Sequence, residues 1–128
     1  MNFKYEIKTN KSFQTTIEDI TDSLKEREFG VLYQMNFREK IEAKALDFST
    51  NFEVLEVCNP GPAKEVLEKN IEVGYFLPCK VVVYEKEDGV YIGLIRPTVL
   101  IGLLEEEGLK TIAEEVENTL KEAIQAAV

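Results

Sequence analysis

The stretch CKVVVYEKEDGVYIGLIR, residues 79–96, decides the fold of this 128-residue chain. Two runs rich in β-branched and aromatic residues, 79–85 and 90–96, flank Asp88-Gly89, and this dipeptide between such runs is a strong hairpin signal. Pro78 precedes the first run, where a proline is compatible with the start of a strand. The stretch therefore predicts two neighbouring antiparallel strands.

A long helix is predicted after this hairpin. Apolar residues recur at helical spacing over 109–127, opposite a polar side that includes Glu117 and Lys121. Glu117 with Lys121, and Glu106 with Lys110, have the i,i+4 spacing that favours ion pairs on a helix surface.

The chain before the hairpin begins with a strand and a helix. Residues 3–8 alternate apolar and charged side chains, which predicts a half-buried strand. Ser12 is a suitable N-cap for an amphipathic helix, whose apolar pattern stops at Gly30. Residues 38–46 indicate a short helix or connection.

Two further strands and a helix follow. Residues 52–58 predict a third strand, in which Glu56 shares a face with Cys58, and Asn59-Pro60 predicts the start of a helix of two to three turns. The second strand begins at Val31. Strict alternation assigns its residues to two faces, with Val31, Tyr33, Met35 and Phe37 on one and Leu32, Gln34 and Asn36 on the other.

These elements predict an α+β fold, in which an antiparallel-rich sheet is packed on one face by helices and the chain ends in a long helix. No internal repeat or linker divides the sequence, so we expect one domain over residues 1–128.

The charge disfavours several classes of partner. The chain has 24 acidic and 15 basic residues, a net charge of −9 and no histidine, so nucleic acid and anionic membranes are not expected as partners. There is no apolar stretch of membrane-spanning length and no signal-peptide pattern, and we expect a soluble protein of the cytoplasm.

Common catalytic and cofactor motifs are also missing. The sequence has no glycine-rich dinucleotide or phosphate loop, no Ser-His-Asp set and no HExxH motif, so the sequence identifies no cofactor and predicts no familiar enzyme class. Two cysteines alone cannot supply the four ligands of a zinc site, and we expect no metal.

The sharpest candidate site residues are Cys58 and Cys79. Each lies where a predicted strand meets an irregular segment beside a proline, and the two thiols lie close together if those strands are antiparallel neighbours. They either form a site for redox exchange, sulfur transfer or ligand capture, or serve as small buried apolar residues. We expect both to be reduced and mostly buried.

Arg96 and Asn59 complete the candidate set. With a two- or four-residue hairpin loop, Arg96 shares a sheet face with Cys79 and would favour its thiolate, whereas a three-residue loop puts it with Lys80. It could equally pair with a surface carboxylate. Asn59 either helps to bind an anion at a helix N-terminus or simply caps the helix.

Four landmarks carry a resemblance to a known family: residues 29–32 (FGVL), Cys58-Asn59-Pro60, residues 77–84 (LPCKVVVY) and Arg96-Pro97. With these, essentially the whole chain resembles the domain of unknown function 302 family of bacteria and archaea. The resemblance implies a curved antiparallel sheet backed by helices, similar to TATA-box-binding-protein-like domains, and a homodimer. It implies no reaction and no catalytic residues.

Three functional hypotheses remain. The leading one is a homodimeric module that binds a small molecule or ion near Cys58, Asn59, Cys79 and Arg96. The second is a thiol-dependent redox or sulfur-transfer protein, and the third is a structural or partner-binding domain without a pocket. The run Val81-Val82-Val83 is apolar on both faces, which favours a helix on one side and a partner or a second layer on the other.

Overall fold

Five antiparallel strands form one sheet in the order β1-β5-β4-β3-β2, in a computed structural model that describes residues 2–128. Within that range, no helix is long and apolar enough to cross a membrane. The strands are β1 (Lys4–Thr9), β2 (Gly30–Asn36), β3 (Phe52–Cys58), β4 (Cys79–Lys86) and β5 (Gly89–Ile95). The helices are α1 (Phe13–Glu26), α2 (Phe37–Glu42), α3 (Pro60–Lys69), α4 (Pro97–Gly102) and α5 (Glu107–Ala127), with a 3₁₀ helix at Ile71–Phe76.

This architecture confirms the predicted α+β class, the antiparallel sheet and the long C-terminal helix. The helix α1 connects the two edge strands β1 and β2, so it must cross the sheet, and it packs beside α5. Their apolar stripes meet one face of the sheet in the main core. The largest fully buried side chains of this core are Ile20, Leu24, Leu55, Ile92, Leu94, Leu120 and Ile124.

The hairpin between β4 and β5 has a two-residue loop, because Lys86 is paired with Gly89. Gly89 has a φ of +147°, a conformation that side chains with a Cβ rarely adopt. A Cβ on this residue would also lie 2.7 Å from Cε of Lys8 and 3.1 Å from the carbonyl oxygen of Thr9. Glycine is therefore required both by the turn and by the close approach of β1.

The first helix ends earlier than its apolar pattern indicates. The Oγ atom of Ser12 accepts a hydrogen bond from the Thr15 amide at 3.1 Å, which confirms the predicted N-cap. At the other end Glu28, not Gly30, takes the left-handed conformation, with φ of 67°. The Phe29 amide then donates to the Leu24 carbonyl at 2.9 Å, a Schellman-type ending, and Gly30 becomes the first residue of β2.

A β-bulge in β2 overturns the predicted faces of this strand. Val31 is paired with Val57, but the next paired residue, Tyr33, lies opposite Glu56, so Leu32 is the extra residue. An extra residue shifts every later side chain to the other face. Val31 consequently packs against the main core while Tyr33 lies on the opposite face.

The shift continues to the end of the strand. Met35 lies on the same face as Tyr33, whereas Gln34 and Asn36 lie on the face of the buried Glu53. The Nδ2 atom of Asn36 donates to this carboxylate at 3.4 Å, and Nε2 of Gln34 also donates to it. Phe37 does not extend the strand but begins α2.

The face opposite the main core is called the open face here. Four aromatic rings form a row across it, with centroid distances of 5.5 Å between Phe37 and Phe52, 6.0 Å between Phe52 and Tyr84, and 5.4 Å between Tyr84 and Tyr91. The ammonium group of Lys86 lies 5.0 Å from the centroid of Tyr91, in cation–π range. The open face is therefore an aromatic and partly apolar surface.

Candidate ligand-binding cavity

A second, smaller core cluster joins α3, α4 and α5, and a cavity lies between it and the ends of β3 and β4. The cavity has a volume of about 40 Å³. Its walls are apolar except for one amide and two thiols. The lining residues are Phe29, Val57, Cys58, Asn59, Pro62, Ala63, Val66, Leu77, Cys79, Pro97, Ile101, Ile112, Ala113 and Val116.

Local sequence explains why α3 closes this cavity. Asn59 follows the last residue of β3, and its Oδ1 atom accepts a hydrogen bond from the Gly61 amide at 3.4 Å. Pro60 fits the first turn of α3, where no amide hydrogen is needed. The chain therefore turns from strand to helix within one residue, and Asn59 acts as the helix cap.

The structure brings Cys58 and Cys79 to the same cavity. Cys79 is the first residue of β4 and is paired with Val57, the neighbour of Cys58. Both thiols are free and half-buried. Burial, and to a lesser extent the neighbouring Cys58, raises the pKa of Cys79 to about 11. The Cys79 thiol is therefore protonated at neutral pH, in contrast to the activated thiolate that Arg96 was expected to favour.

Arg96 does not line this cavity. The two-residue hairpin loop does place its position on the Cys79 face, as one of the predicted alternatives required, but β5 ends at Ile95 and α4 begins at Pro97. Its Nε atom donates to Glu117 at 3.0 Å and its Nη1 atom donates to the carbonyl oxygen of Asn2 at 3.0 Å. Arg96 is therefore paired with a carboxylate, which was the other predicted alternative. This carboxylate is buried, whereas the prediction placed it on the surface.

Glu117 is buried, which corrects its predicted place on the polar side of the last helix, and it is only 3% exposed. Its carboxylate accepts hydrogen bonds from the Thr98 amide at 3.1 Å and the Thr98 hydroxyl at 2.6 Å, and Lys121 lies 3.1 Å away. A helical signal was available, because Glu117 follows Ala113 by four residues and precedes Leu120 by three.

The hydrogen bonds decide the charge of Glu117. Burial alone would raise the pKa of this carboxyl group, but the hydrogen bonds from Thr98, Arg96 and Lys121 outweigh that effect and lower the pKa to about 2. Glu117 is therefore ionised at neutral pH and fully partnered. It joins the start of α4 to the middle of α5, and both helices provide walls of the cavity.

A separate polar cleft of about 630 Å³ lies on the other side of α4 and α5. Arg96, Thr98, Lys110 and several carboxylates line it, and Ile101 and Ala113 line both the cleft and the cavity. The carboxylates of residues 105–107 and 114–115 are exposed, as predicted, whereas Glu117, which also lines the cleft, is buried. Across residues 2–128, no group of three or more cysteine, aspartate or glutamate side chains has a geometry that could hold a metal ion.

Three of the four predicted site residues therefore share one location. Cys58, Asn59 and Cys79 line the cavity, whereas Arg96 lies outside it and is paired with Glu117. Such a site can bind a small apolar molecule or a ligand for sulfur. Its lining residues include no aspartate, glutamate, lysine or arginine.

Comparisons with known proteins agree with this fold. The sequence profile of the family described as "Domain of unknown function DUF302" matches residues 5–127. A crystal structure of an uncharacterized conserved DUF302 protein from Bacillus stearothermophilus is 42% identical, covers 100% of both chains and superimposes with a TM-score of 0.96. A comparison with curated protein sequences finds no match. The chain therefore belongs to the DUF302 family of uncharacterised proteins.

Proposed function

We propose that this protein is a homodimeric binding module that holds a small molecule or ion in the cavity at Cys58, Asn59 and Cys79. The observation that carries this proposal is the convergence of two thiols and one amide on an otherwise apolar cavity. Ligand sites in proteins are typically apolar cavities in which a few polar groups fix the orientation of the ligand.

The size of the cavity restricts the ligand. A volume of about 40 Å³ is well below the roughly 150 Å³ of an engineered cavity that binds benzene or xenon. The module therefore binds an ion or a molecule of a few atoms unless the wall formed by Pro62 and Ala63 moves outward. These two residues are half-buried and lie in the first turns of α3.

Native mass spectrometry of the protein purified without denaturant tests the proposal directly, because a retained ligand adds mass to the chain. Xenon is a suitable second probe, with amide chemical shifts as the readout. We expect xenon to shift the amides of Val66 and Ala113, and Ala63→Phe to abolish these shifts by filling the cavity. The matched control is Ala126→Phe at an exposed position of α5. Neither added mass nor xenon shifts in the wild type would refute the proposal.

Thiol-dependent redox or sulfur transfer is the less favoured alternative. A reactive thiol needs a lowered pKa, whereas burial raises that of Cys79 to about 11. In the cytoplasm, where we expect this protein to act, both thiols would stay reduced. Counting the thiols that react rapidly with a chromogenic disulfide distinguishes the two functions. Two slow thiols support the binding module, and one fast thiol supports the alternative.

The open face supports the dimer. Five strands about 4.8 Å apart and about seven residues long give a face of roughly 500 Å² in projection, and side-chain relief increases its accessible area toward the roughly 800 Å² per partner of a standard interface. Its strand residues are also richer in positive charge than the whole chain, whose net charge is −9. They carry four lysines and two glutamates, namely Lys4, Lys8, Lys80, Lys86, Glu6 and Glu56.

Because the acidic excess lies elsewhere, two open faces can meet without the repulsion that the net charge would otherwise cause. Light scattering at micromolar concentration should give twice the mass of one 14.6 kDa chain. Val82→Glu, near the centre of the face, should reduce this mass to that of one chain. Thr111→Glu, exposed on α5, is the control. A wild-type monomer would contradict the dimer, and a dimeric Val82→Glu variant would contradict this interface.

A further inference from the structure

We propose that the 3₁₀ helix at Ile71–Phe76 and the adjoining polar cleft form a docking site for a basic amphipathic helix of another protein. Apolar side chains of the partner contact Ile71 and Tyr75, and its lysine or arginine side chains enter the cleft. Ile71 and Tyr75 belong neither to the lining of the cavity nor to the strands of the open face. The docking site is therefore independent of the proposed ligand and of the proposed dimer.

Two large apolar side chains of the 3₁₀ helix are exposed to solvent. Tyr75 is 87% exposed and Ile71 is 76% exposed, the two highest values among the large hydrophobic residues in the described part of the chain. They lie around one open notch of about 400 Å³, whose other lining residues are Glu72 and Gly74. Adjacent exposed apolar residues with a polar rim are typical of interaction surfaces, where tyrosine is a frequent anchor.

The 3₁₀ helix is held against the rest of the protein, so this apolar pair has a fixed position. Val73 is fully buried in the second core cluster. The Oδ1 atom of Asn70 accepts a hydrogen bond from the Glu72 amide at 2.9 Å, and its Nδ2 atom donates to Glu106 at 3.2 Å. Glu106 is also a lining residue of the polar cleft. The apolar pair and the cleft therefore adjoin at Asn70, and one partner can contact both.

The polar cleft has the charge that a basic partner requires. Five carboxylates and two cations line it, and one of these cations, Arg96, is already paired with the buried Glu117. Without that pair, four glutamates and one lysine remain, a net charge of −3. The volume of about 630 Å³ is large enough to admit long basic side chains. The remaining charged residues are Glu105, Glu106, Glu107, Lys110 and Glu114.

This charge also distinguishes between the possible occupants. A second copy of the chain would bring the same carboxylates against each other, and an anionic membrane would be repelled in the same way. A helix with lysine or arginine at the border of its apolar face presents both kinds of side chain to one surface. Such a helix covers the apolar pair and places its cations beside the carboxylates.

The apolar contact is tested by fluorescence anisotropy, in which a labelled synthetic amphipathic helix of leucine and lysine is titrated with the full chain. The double variant Ile71→Ser with Tyr75→Ser should bind this peptide at least about tenfold more weakly than wild type, since truncation of anchor residues has effects of this size. The matched control is Leu32→Ser with Leu46→Ser, which are exposed at 65% and 61% on other parts of the chain. This control should bind like wild type.

The charge contact is tested with a second pair of variants. Glu107→Gln with Glu114→Gln should weaken binding and reduce its dependence on salt, because two carboxylates of the cleft are lost. Glu87→Gln with Glu122→Gln removes the same charge from exposed positions outside the cleft and should have a smaller effect. This control separates binding in the cleft from general attraction to an acidic protein.

Four results would overturn the inference. These are no binding of the peptide by wild type, equal binding by wild type and the Ile71→Ser, Tyr75→Ser variant, equal losses in the two glutamine variants, or equal binding of a peptide with glutamate in place of lysine. Two further measurements assign the surface to another occupant. A smaller mass of the Ile71→Ser, Tyr75→Ser variant in light scattering would indicate a second copy, and binding of wild type to anionic vesicles through these residues would indicate a membrane.

Discussion

Replacing Glu117 by glutamine removes the negative charge that Arg96 and Lys121 share. The pKa of the carboxyl group decreases from an ordinary value of 4.5 to about 2 in the folded protein. At about 1.36 kcal/mol per pKa unit, this difference corresponds to about 3 kcal/mol of the free energy of unfolding. Glu117 is only 3% exposed, so solvent screens these interactions weakly.

The stabilisation by Glu117 depends on pH, because its pKa is lower in the folded than in the unfolded protein. A carboxyl group with a lower pKa in the folded state stabilises fully above its unfolded pKa of 4.5, and this stabilisation is lost as the pH falls through the folded pKa of about 2. Urea unfolding followed by circular dichroism should therefore show wild type about 3 kcal/mol more stable than Glu117→Gln at pH 7. The difference should shrink steadily between pH 4.5 and pH 2.

Comparison of the two proteins at each pH removes the effect of the other carboxylates, which titrate in both. Glu114→Gln, exposed on the same helix, should change stability by less than about 0.5 kcal/mol. A difference between wild type and Glu117→Gln that stays constant from pH 6 to pH 2, or that is below about 1 kcal/mol at pH 7, would refute this account of the cluster.

Four other predictions concern stability and reactivity. Gly89→Ala should lower the free energy of unfolding by about 1–3 kcal/mol, because its φ and its contact with β1 both exclude a Cβ; urea unfolding no different from wild type would contradict this. Leu55→Ala should cost about 2–5 kcal/mol in the same assay, since Leu55 is fully buried, whereas Ser12→Ala should cost about 1 kcal/mol through loss of the N-cap. Alkylation of Cys79 by iodoacetamide, followed by peptide mass spectrometry, should be slow at pH 7 and accelerate as the pH approaches 11; a rate already maximal at pH 8 would disprove the raised pKa.

Much of the candidate site could be predicted from the sequence because its determinants are local. Asn59-Pro60 determines where α3 begins, and Pro78 marks the start of β4. With β3 and β4 as neighbours, these signals bring Cys58 and Cys79 to one end of the sheet. Which carboxylate would pair with Arg96 could not be predicted, because Glu117 lies twenty-one residues away and on a different helix. A contact of this kind depends on how α4 and α5 pack.

The sequence by itself determined most elements of this protein, although α4 and the 3₁₀ helix at Ile71–Phe76 were not predicted. The period of apolar residues, the Ser12 cap and the Asp88-Gly89 turn predicted a helix, a strand or a hairpin in the right place, because each depends on interactions within a few residues. The strand order could be predicted from the sequence only in part. The pairing of β4 with β5 was predictable from the hairpin, whereas the pairing of β1 with β5 was not.

Only the tertiary structure decided the faces of β2 and the burial of Glu117. One extra residue at Leu32 reverses the alternation after it, and nothing in the local pattern distinguishes a bulged strand from a regular one. Helical spacing places Glu117 on the same side of α5 as the buried apolar residues. It is stable there because Arg96, Thr98 and Lys121 replace the hydrogen bonds to water that it loses on burial. Those partners come together only when the helices pack, so the ionised state of Glu117 is a property of the whole fold.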